Sequence, residues 1–176
     1  MEHEELVRLA IKGNEKAFET LVKQQSEKLY KTAFMYVRNK EDALDVLQET
    51  IYKAFISIEK VKQPEFFHTW LTKILIRTSF DLLRKRKKLV LDFTKDTPTK
   101  TNDIDGKIDL ITAISKLSEN YQTVIILFFY HDLPIRNIAE IMDIPENTVK
   151  TYLRRAKKEL KHSLEGVNYF EQRAFQ

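Results

Sequence analysis

The sequence predicts an all-α protein with two small helical domains joined by a flexible linker, the C-terminal one containing a helix-turn-helix. Three observations support this prediction. Gly occurs only 3 times and Pro only 4 times in 176 residues, which disfavours a loop-rich fold. Apolar residues recur at helical spacing through both halves of the chain. Between the two halves, residues 91–107 show no sustained period.

The N-terminal half has the apolar periodicity of a helical bundle. Leu6, Leu9 and Ala10 begin one stripe, which resumes after a break at Gly13 and Asn14. Further along the chain, a third helix is marked by Leu29, Ala33, Tyr36 and Val37.

The next helix is predicted to begin after Asn39, whose side chain can accept a hydrogen bond from the backbone three residues on. Asp42 completes an arrangement like a capping box. The face expected to be buried carries the apolar residues Leu44, Leu47, Ile51, Ala54 or Phe55, and Ile58.

The last helix of this half is predicted to begin at Pro64 and to reach the basic run Arg84–Lys88, because cations favour the carbonyl end of a helix. Trp70 is interpreted as a core residue, since its spacing from Phe67 and Ile74 is that of a buried stripe. The residues expected to face outward are His68, Thr69, Thr72, Lys73, Arg77, Phe80 and Arg84.

The segment 91–107 is interpreted as a linker because it is rich in Thr and Asp and contains Pro98 and Gly106. We therefore expect a helical domain at 1–90, the linker at 91–107 and a second helical domain at 108–165. Residues 166–176 form a tail that is either a partner contact or a frayed end. The linker is either a solvated tether or an acidic segment that mimics nucleic acid.

The C-terminal half contains a pattern typical of a helix-turn-helix. Ile138, Ala139, Ile141 and Met142 give one short helix an apolar face, and the turn follows at 143–145. The second helix is predicted to bury Val149, Leu153, Ala156 and Leu160. Its outward residues are Asn147, Thr148, Lys150, Thr151, Arg154 and Arg155. Short polar residues followed by cations suit a helix that enters a major groove, although the same residues also suit a solvated helix face.

Composition excludes several classes of protein. With no Cys, the chain has no disulfide framework, thiolate metal site or cysteine nucleophile. The four His residues are scattered, no glycine loop suits a phosphate, and we expect no enzyme activity, metal or cofactor. The longest apolar run, Val124–Tyr130, is too short to span a bilayer, so we expect a cytoplasmic protein without membrane insertion.

Two segments resemble extracytoplasmic-function (ECF) sigma factors. Residues 41–55, EDALDVLQETIYKAF, and residues 67–88 resemble region two of that family. The motif LPIRNIAEIMDIPENTVKTYLRRAKKEL, at residues 133–160, resembles region four. The order of these motifs across such a linker is specific, and the likeness covers most of residues 6–160.

The resemblance implies a sigma factor that binds core RNA polymerase and directs promoter-specific transcription initiation. It assigns binding of the clamp coiled coil of the largest polymerase subunit to Asp45, Gln48 and Glu49. It implies that the downstream promoter element is held as a melted strand with a flipped base. The residues to which it assigns this binding are Lys62, His68, Thr69, Lys73, Arg77, Phe80 and Arg84. Arg77 departs from the family, which often has Asn near this position, so the resemblance does not determine which base is preferred.

For the C-terminal half, the resemblance assigns the upstream promoter element to Asn147, Thr148, Lys150, Thr151, Arg154 and Arg155. It also implies contact with the polymerase flap and control by a membrane-anchored anti-sigma factor. The main alternative is a stand-alone helix-turn-helix regulator that binds operators as a dimer. That alternative gives no role to Asp45, Gln48 and Glu49.

Overall fold

The computed structural model describes residues 2–93 and 110–164. The chain divides into two compact units, Met1–Thr97 and Pro98–Gln176. Within the described ranges every regular element is helical, which confirms the all-α prediction. Most of the predicted linker and the whole of the predicted tail lie outside the described residues.

The N-terminal unit contains four α-helices and two short 3₁₀ turns among its described residues. They are α1 (Glu2–Ile11), α2 (Glu15–Val37), α3 (Lys40–Phe55), the turns Ile58–Lys60 and Pro64–Phe66, and α4 (Phe67–Phe93).

The predicted break at Gly13 and Asn14 and the predicted start of α3 after Asn39 are confirmed. The separate helix predicted around Leu29 and Val37 is wrong, because α2 is continuous from Glu15 to Val37. Gly13 has a φ of +89°, which suits glycine at the turn after α1. The side chain of Asn14 accepts a hydrogen bond from the N–H of Ala17 at 3.0 Å. Asn39 likewise accepts from the N–H of Asp42 at 3.0 Å. These caps satisfy backbone donors that have no partner inside the helix.

The face of α3 predicted to be buried is correct only in part, because Ala54 and Ile58 are buried and Leu47 and Ile51 are half-buried. The helix buries the small residues Ala43, Val46, Thr50 and Ala54, whereas Leu44 is 48% exposed and Phe55 is 44% exposed. Small residues let neighbouring helices approach closely, and α3 packs against both α2 and α4. The larger apolar side chains are therefore left at the edge of the contact or outside it.

Helix α4 also differs from its prediction. Pro64 opens a 3₁₀ turn and the α-helix begins at Phe67. The helix continues to Phe93, into the segment predicted to be linker. Trp70 is half-buried, so its interpretation as a core residue holds only in part.

Phe80 and Thr72 do not face outward as predicted. Both are buried, and the ring of Phe80 packs edge-on against Tyr36 of α2 with centroids 5.1 Å apart. Because α4 contacts both α2 and α3, its buried arc is wider than that of a helix covered on one side. Phe80 is therefore a core residue and is removed from the strand-binding candidates.

The C-terminal unit is also helical in its described part. It contains α5 (Leu110–Ser115), α6 (Glu119–Ile125), a π-helical turn (Ile126–Tyr130), α7 (Ile135–Met142) and α8 (Glu146–Ser163). The predicted turn between α7 and α8 is confirmed, and Asp143 ends α7 in the left-handed region at a φ of 55°. The buried ladder of α8 is as predicted: Val149, Leu153, Ala156 and Leu160.

Candidate partner and nucleic-acid interfaces

The outer face of α3 carries both polar and apolar side chains. Asp45, Gln48 and Glu49 are exposed, as the sequence predicts. Leu44 lies one turn before Gln48, and Tyr52, which is 60% exposed, lies one turn after it. The sequence prediction places Tyr52 on this face but omits Leu44, because it assigns Leu44 to the buried side. The spacing of four residues from Leu44 to Gln48 to Tyr52 was the available signal.

Glu49 and Asp45 differ in their surroundings. The ammonium of Lys53 lies 3.4 Å from the carboxylate of Glu49 and donates a hydrogen bond to the hydroxyl of Thr78 on α4 at 3.3 Å. Glu49 is thus partly neutralised within the protein. It lines, together with Asp45, a cleft of about 520 Å³ between α3 and α4 whose other wall includes Asp81 and Arg84.

The candidate strand-binding face lies at the start of α4 and along one side of it. Lys62 and Arg77 are exposed, while Thr69 and Lys73 are half-buried. Arg84 is exposed further along the helix and lies 3.8 Å from Asp81. The structure adds Phe66 at the end of the second 3₁₀ turn, because its ring is 39% exposed. An exposed aromatic beside cations is the type of surface on which a base stacks.

His68 is half-buried at the start of α4 and does not lie freely outward. Burial lowers the pKa of His68 to about 4, and the nearby charge of Lys28 and the ring of His3 act in the same direction. His68 is therefore neutral at physiological pH and is not a cation that pairs with phosphate.

The stability of the N-terminal unit should fall as the pH is lowered from 6.5 to 4. In this range the unfolded chain protonates His68 and the folded chain does not, so unfolding takes up a proton and is favoured by acid. We expect a loss of about 2 kcal/mol between pH 7 and pH 4.5. Urea unfolding at several pH values measures it, and His68→Gln should remove this part of the slope. An unchanged slope in His68→Gln would contradict the assignment.

The outer face of α8 is formed largely as predicted. Asn147, Lys150, Arg154 and Arg155 are exposed, and Thr148 and Thr151 are half-buried at the edges of the face. The ring of Tyr152 packs edge-on against Tyr121 of α6, with centroids 5.5 Å apart, which supports the helix from behind. The face thus combines amide and hydroxyl groups with several cations on a helix held by a packed core.

The part of the chain that the structure describes contains neither a candidate metal site nor a helix suited to cross a membrane. Residues 2–93 and 110–164 contain no group of three or more His, Asp or Glu side chains arranged to hold a metal ion. None of the helices in these ranges combines the length and the apolar character needed to cross a bilayer.

Comparison with known proteins relates both units to transcription initiation. The family description sigma-70 region 2 matches residues 21–89, and sigma-70 region 4 matches residues 107–160. RNA polymerase sigma factor SigV of Bacillus subtilis is 44% identical over 142 residues, covering 79% of this chain and 86% of SigV. The ECF sigma factor SigW of the same organism is 28% identical and covers 89% of this chain and 93% of SigW. The chain belongs to the ECF sigma factors.

Two solved structures share the fold of this sigma factor. CnrH, solved in complex with the cytosolic domain of CnrY, has a TM-score of 0.72 at 22% identity, covering 93% of this chain and 97% of CnrH. RpoE of Bartonella quintana, solved in complex with the anti-sigma factor NepR, has a TM-score of 0.71 at 23% identity, covering 86% of this chain and 98% of RpoE.

Membership in this family confirms the functional prediction. The protein is an alternative sigma factor, an initiation subunit for RNA polymerase, and its relatives are regulatory proteins rather than enzymes. The stand-alone helix-turn-helix regulator is not favoured, because the match to region 2 has no place in it.

Proposed function

We propose that this sigma factor binds core polymerase through the outer face of α3. Asp45, Gln48 and Glu49 contact the clamp coiled coil of the largest subunit, and Leu44 and Tyr52 add apolar contact beside them. The observation that supports this proposal is the exposure of both residue types on one helix face. Exposed Tyr and Leu bordered by carboxylates fit a partner helix that carries apolar and basic residues.

Capture of the downstream promoter element is proposed for the start of α4 and the 3₁₀ turns before it. Lys62, Lys73, Arg77 and Arg84 contact strand phosphates, while Thr69 and the neutral ring of His68 lie closer to the bases. Phe66 offers a stacking surface that returns about 1–3 kcal/mol per base. This gain offsets the few kcal/mol that unstacking a base requires. The exposure of the Phe66 ring and of the cations Lys62 and Arg77 supports this role.

The upstream promoter element is proposed to be bound by α8 through Asn147, Thr148, Lys150, Thr151, Arg154 and Arg155. The same C-terminal unit contacts the polymerase flap. An apolar groove of about 330 Å³ supports the flap contact, and it is lined by Phe128, Phe129, Asp132, Leu133 and Pro134.

The proposed mechanism divides the work between the two units, 1–90 and 108–165, with 91–107 as the connection between them. Polymerase performs all catalysis, so the sigma factor itself is not an enzyme. It acts in the cytoplasm, where polymerase and promoters are found. An anti-sigma factor, anchored in the membrane, is proposed to cover its polymerase-binding surfaces. The complexes formed by RpoE with NepR and by CnrH with the cytosolic domain of CnrY support this regulation.

Run-off transcription from a library of randomised promoters tests the proposed function directly. The purified chain is mixed with core polymerase, complex formation is followed by gel filtration, and the transcripts are sequenced. We expect a stable complex and start sites that share two sequence elements. Failure to bind core polymerase, or operator binding that needs no polymerase, would reject the proposal.

Arg154→Ala should weaken use of the selected promoters by about 10-fold, if the guanidinium makes one bidentate base contact worth about 1–3 kcal/mol. Footprinting of the holoenzyme should show a weaker upstream region and relaxed sequence preference there. Lys116→Ala is the matched control, since it removes an exposed cation from the same unit that lies beside the C-terminal end of α8 and outside the proposed contact residues 147–155. An unchanged upstream footprint in Arg154→Ala would exclude Arg154 from the interface.

A further inference from the structure

A buried carboxylate joins the start of α3 to the far end of α4. The side chain of Asp42 is only 5% exposed, and its Oδ1 accepts a hydrogen bond from the guanidinium of Arg86, which is 54% exposed. The two residues are 44 positions apart in sequence. Asp42 therefore does not use its carboxylate in the capping box that its sequence position suggests, although Asn39 still caps the helix.

Packing contributes little to the stretch Arg84–Leu89 of α4. Leu82 and Leu83 are half-buried, and every residue from Arg84 to Leu89 is exposed. The helix nevertheless continues to Phe93. The contact with Asp42 attaches this exposed stretch to a neighbouring helix.

The same stretch carries five consecutive cations, Arg84–Lys88. Like charges three or four residues apart destabilise a helix. The favourable interaction of cations with a helix C-terminus is limited to the last turn, and α4 extends five residues beyond Lys88. Asp42 offsets part of this repulsion at Arg86, and Asp81 offsets part of it at Arg84.

We propose that Asp42 and Arg86 are positioning residues that keep the basic end of α4 helical and fixed against α3. The pair thereby holds Arg84 in line with Lys73 and Arg77 for strand capture, while Arg86 itself serves α3 rather than DNA. Lys73, Arg77 and Arg84 are four and seven residues apart, so they share a face only while the helix is continuous. This inference rests on the proposed strand-binding role of α4.

Asp42→Asn distinguishes a positioning role of the ion pair from a purely electrostatic effect of the Asp42 charge on DNA binding. The substitution removes a negative charge, so an electrostatic effect alone would strengthen DNA binding. A positioning role of Asp42 predicts the opposite, namely weaker capture of the strand. In reconstituted holoenzyme on a promoter from the run-off selection, we expect about 10-fold less strand opening, measured by permanganate reactivity. Affinity for core polymerase should change by less than about twofold, because Asp45, Gln48 and Glu49 are retained.

A double-mutant cycle tests whether the two residues act together. Arg86→Gln should reduce strand opening as much as Asp42→Asn does, and the double variant should be no worse than the more affected single variant. Arg86→Lys should retain most of the opening, since it keeps a cation within reach of Asp42. Lys87→Gln is the matched control, because it removes a neighbouring exposed cation outside the pair.

Hydrogen exchange keeps the proposal testable if a variant loses stability. Amides in Arg84–Lys88 should exchange faster in the full-length Arg86→Gln chain, while amides of α2 stay protected. Three results would overturn the proposal. They are additive effects of the two substitutions on strand opening, equal losses of strand opening in Lys87→Gln and Arg86→Gln, and stronger strand opening in Asp42→Asn. The proposed strand-binding role of α4 fails separately, if Arg77→Ala leaves strand opening intact.

Discussion

Replacing Phe80 with alanine should lower the free energy of unfolding of the N-terminal unit by about 3–5 kcal/mol. The side chain is 8% exposed and its ring packs against Tyr36, so truncation leaves a cavity between α2 and α4. Trp70 is the single tryptophan of the chain and lies in this unit, so its fluorescence during urea unfolding reports on this unit specifically.

Two further variants distinguish a core role of Phe80 from contact with DNA. Phe80→Leu keeps an apolar side chain in the core and should retain both most of the stability and strand opening. Arg77→Ala, on the exposed side of α4, should change stability by less than about 0.5 kcal/mol and still reduce strand opening. A stable Phe80→Leu protein that cannot open promoters would return Phe80 to the DNA interface.

The helix-turn-helix is the part of the fold that the sequence determines most directly. Helix α8 buries one face only, and that face carries Val149, Leu153 and Leu160 at regular helical intervals. A one-sided helix with large apolar residues inside and cations outside can be interpreted from periodicity alone. For this reason the buried ladder of α8 agrees with the prediction, and four of the six residues predicted to face outward are exposed.

The N-terminal bundle is harder to predict because α3 and α4 each pack against two neighbours. In α3, close packing selects the small residues Ala43 and Ala54 for the core and leaves Leu44 outside. In α4, a second neighbour widens the buried arc as far as Phe80. Periodicity identifies both helices correctly, but it cannot state how many sides of a helix are covered.

Long-range pairing is the other feature that local sequence patterns do not contain. Asp42 occupies a capping position by sequence, and nothing nearby indicates a partner 44 residues away. Likewise, only the structure shows that Lys53 joins Glu49 to Thr78. Both contacts depend on the antiparallel approach of α3 and α4, which is a property of the assembled bundle.

Asp45→Arg should weaken binding to core polymerase by about 100-fold, which corresponds to about 2.7 kcal/mol. The substitution reverses the charge of a carboxylate that, unlike Glu49, has no ion pair among the described residues to neutralise it. Reversal replaces attraction to a basic partner surface with repulsion. Equilibrium titration with fluorescently labelled sigma factor measures the change. Glu19→Arg makes the same charge reversal at an exposed position on α2, outside the proposed interface, and should bind normally.

Salt dependence separates the charged part of the α3 face from its apolar part. The defect of Asp45→Arg should shrink as ionic strength rises, because exposed charges are screened. A companion variant, Tyr52→Ala, should lose about 10-fold in affinity at every salt concentration, since it removes apolar contact area. If both variants bind as the parent does, the outer face of α3 is not the polymerase interface. If only Tyr52→Ala binds normally, Tyr52 lies outside the interface, and binding depends on the charged part of the face that includes Asp45.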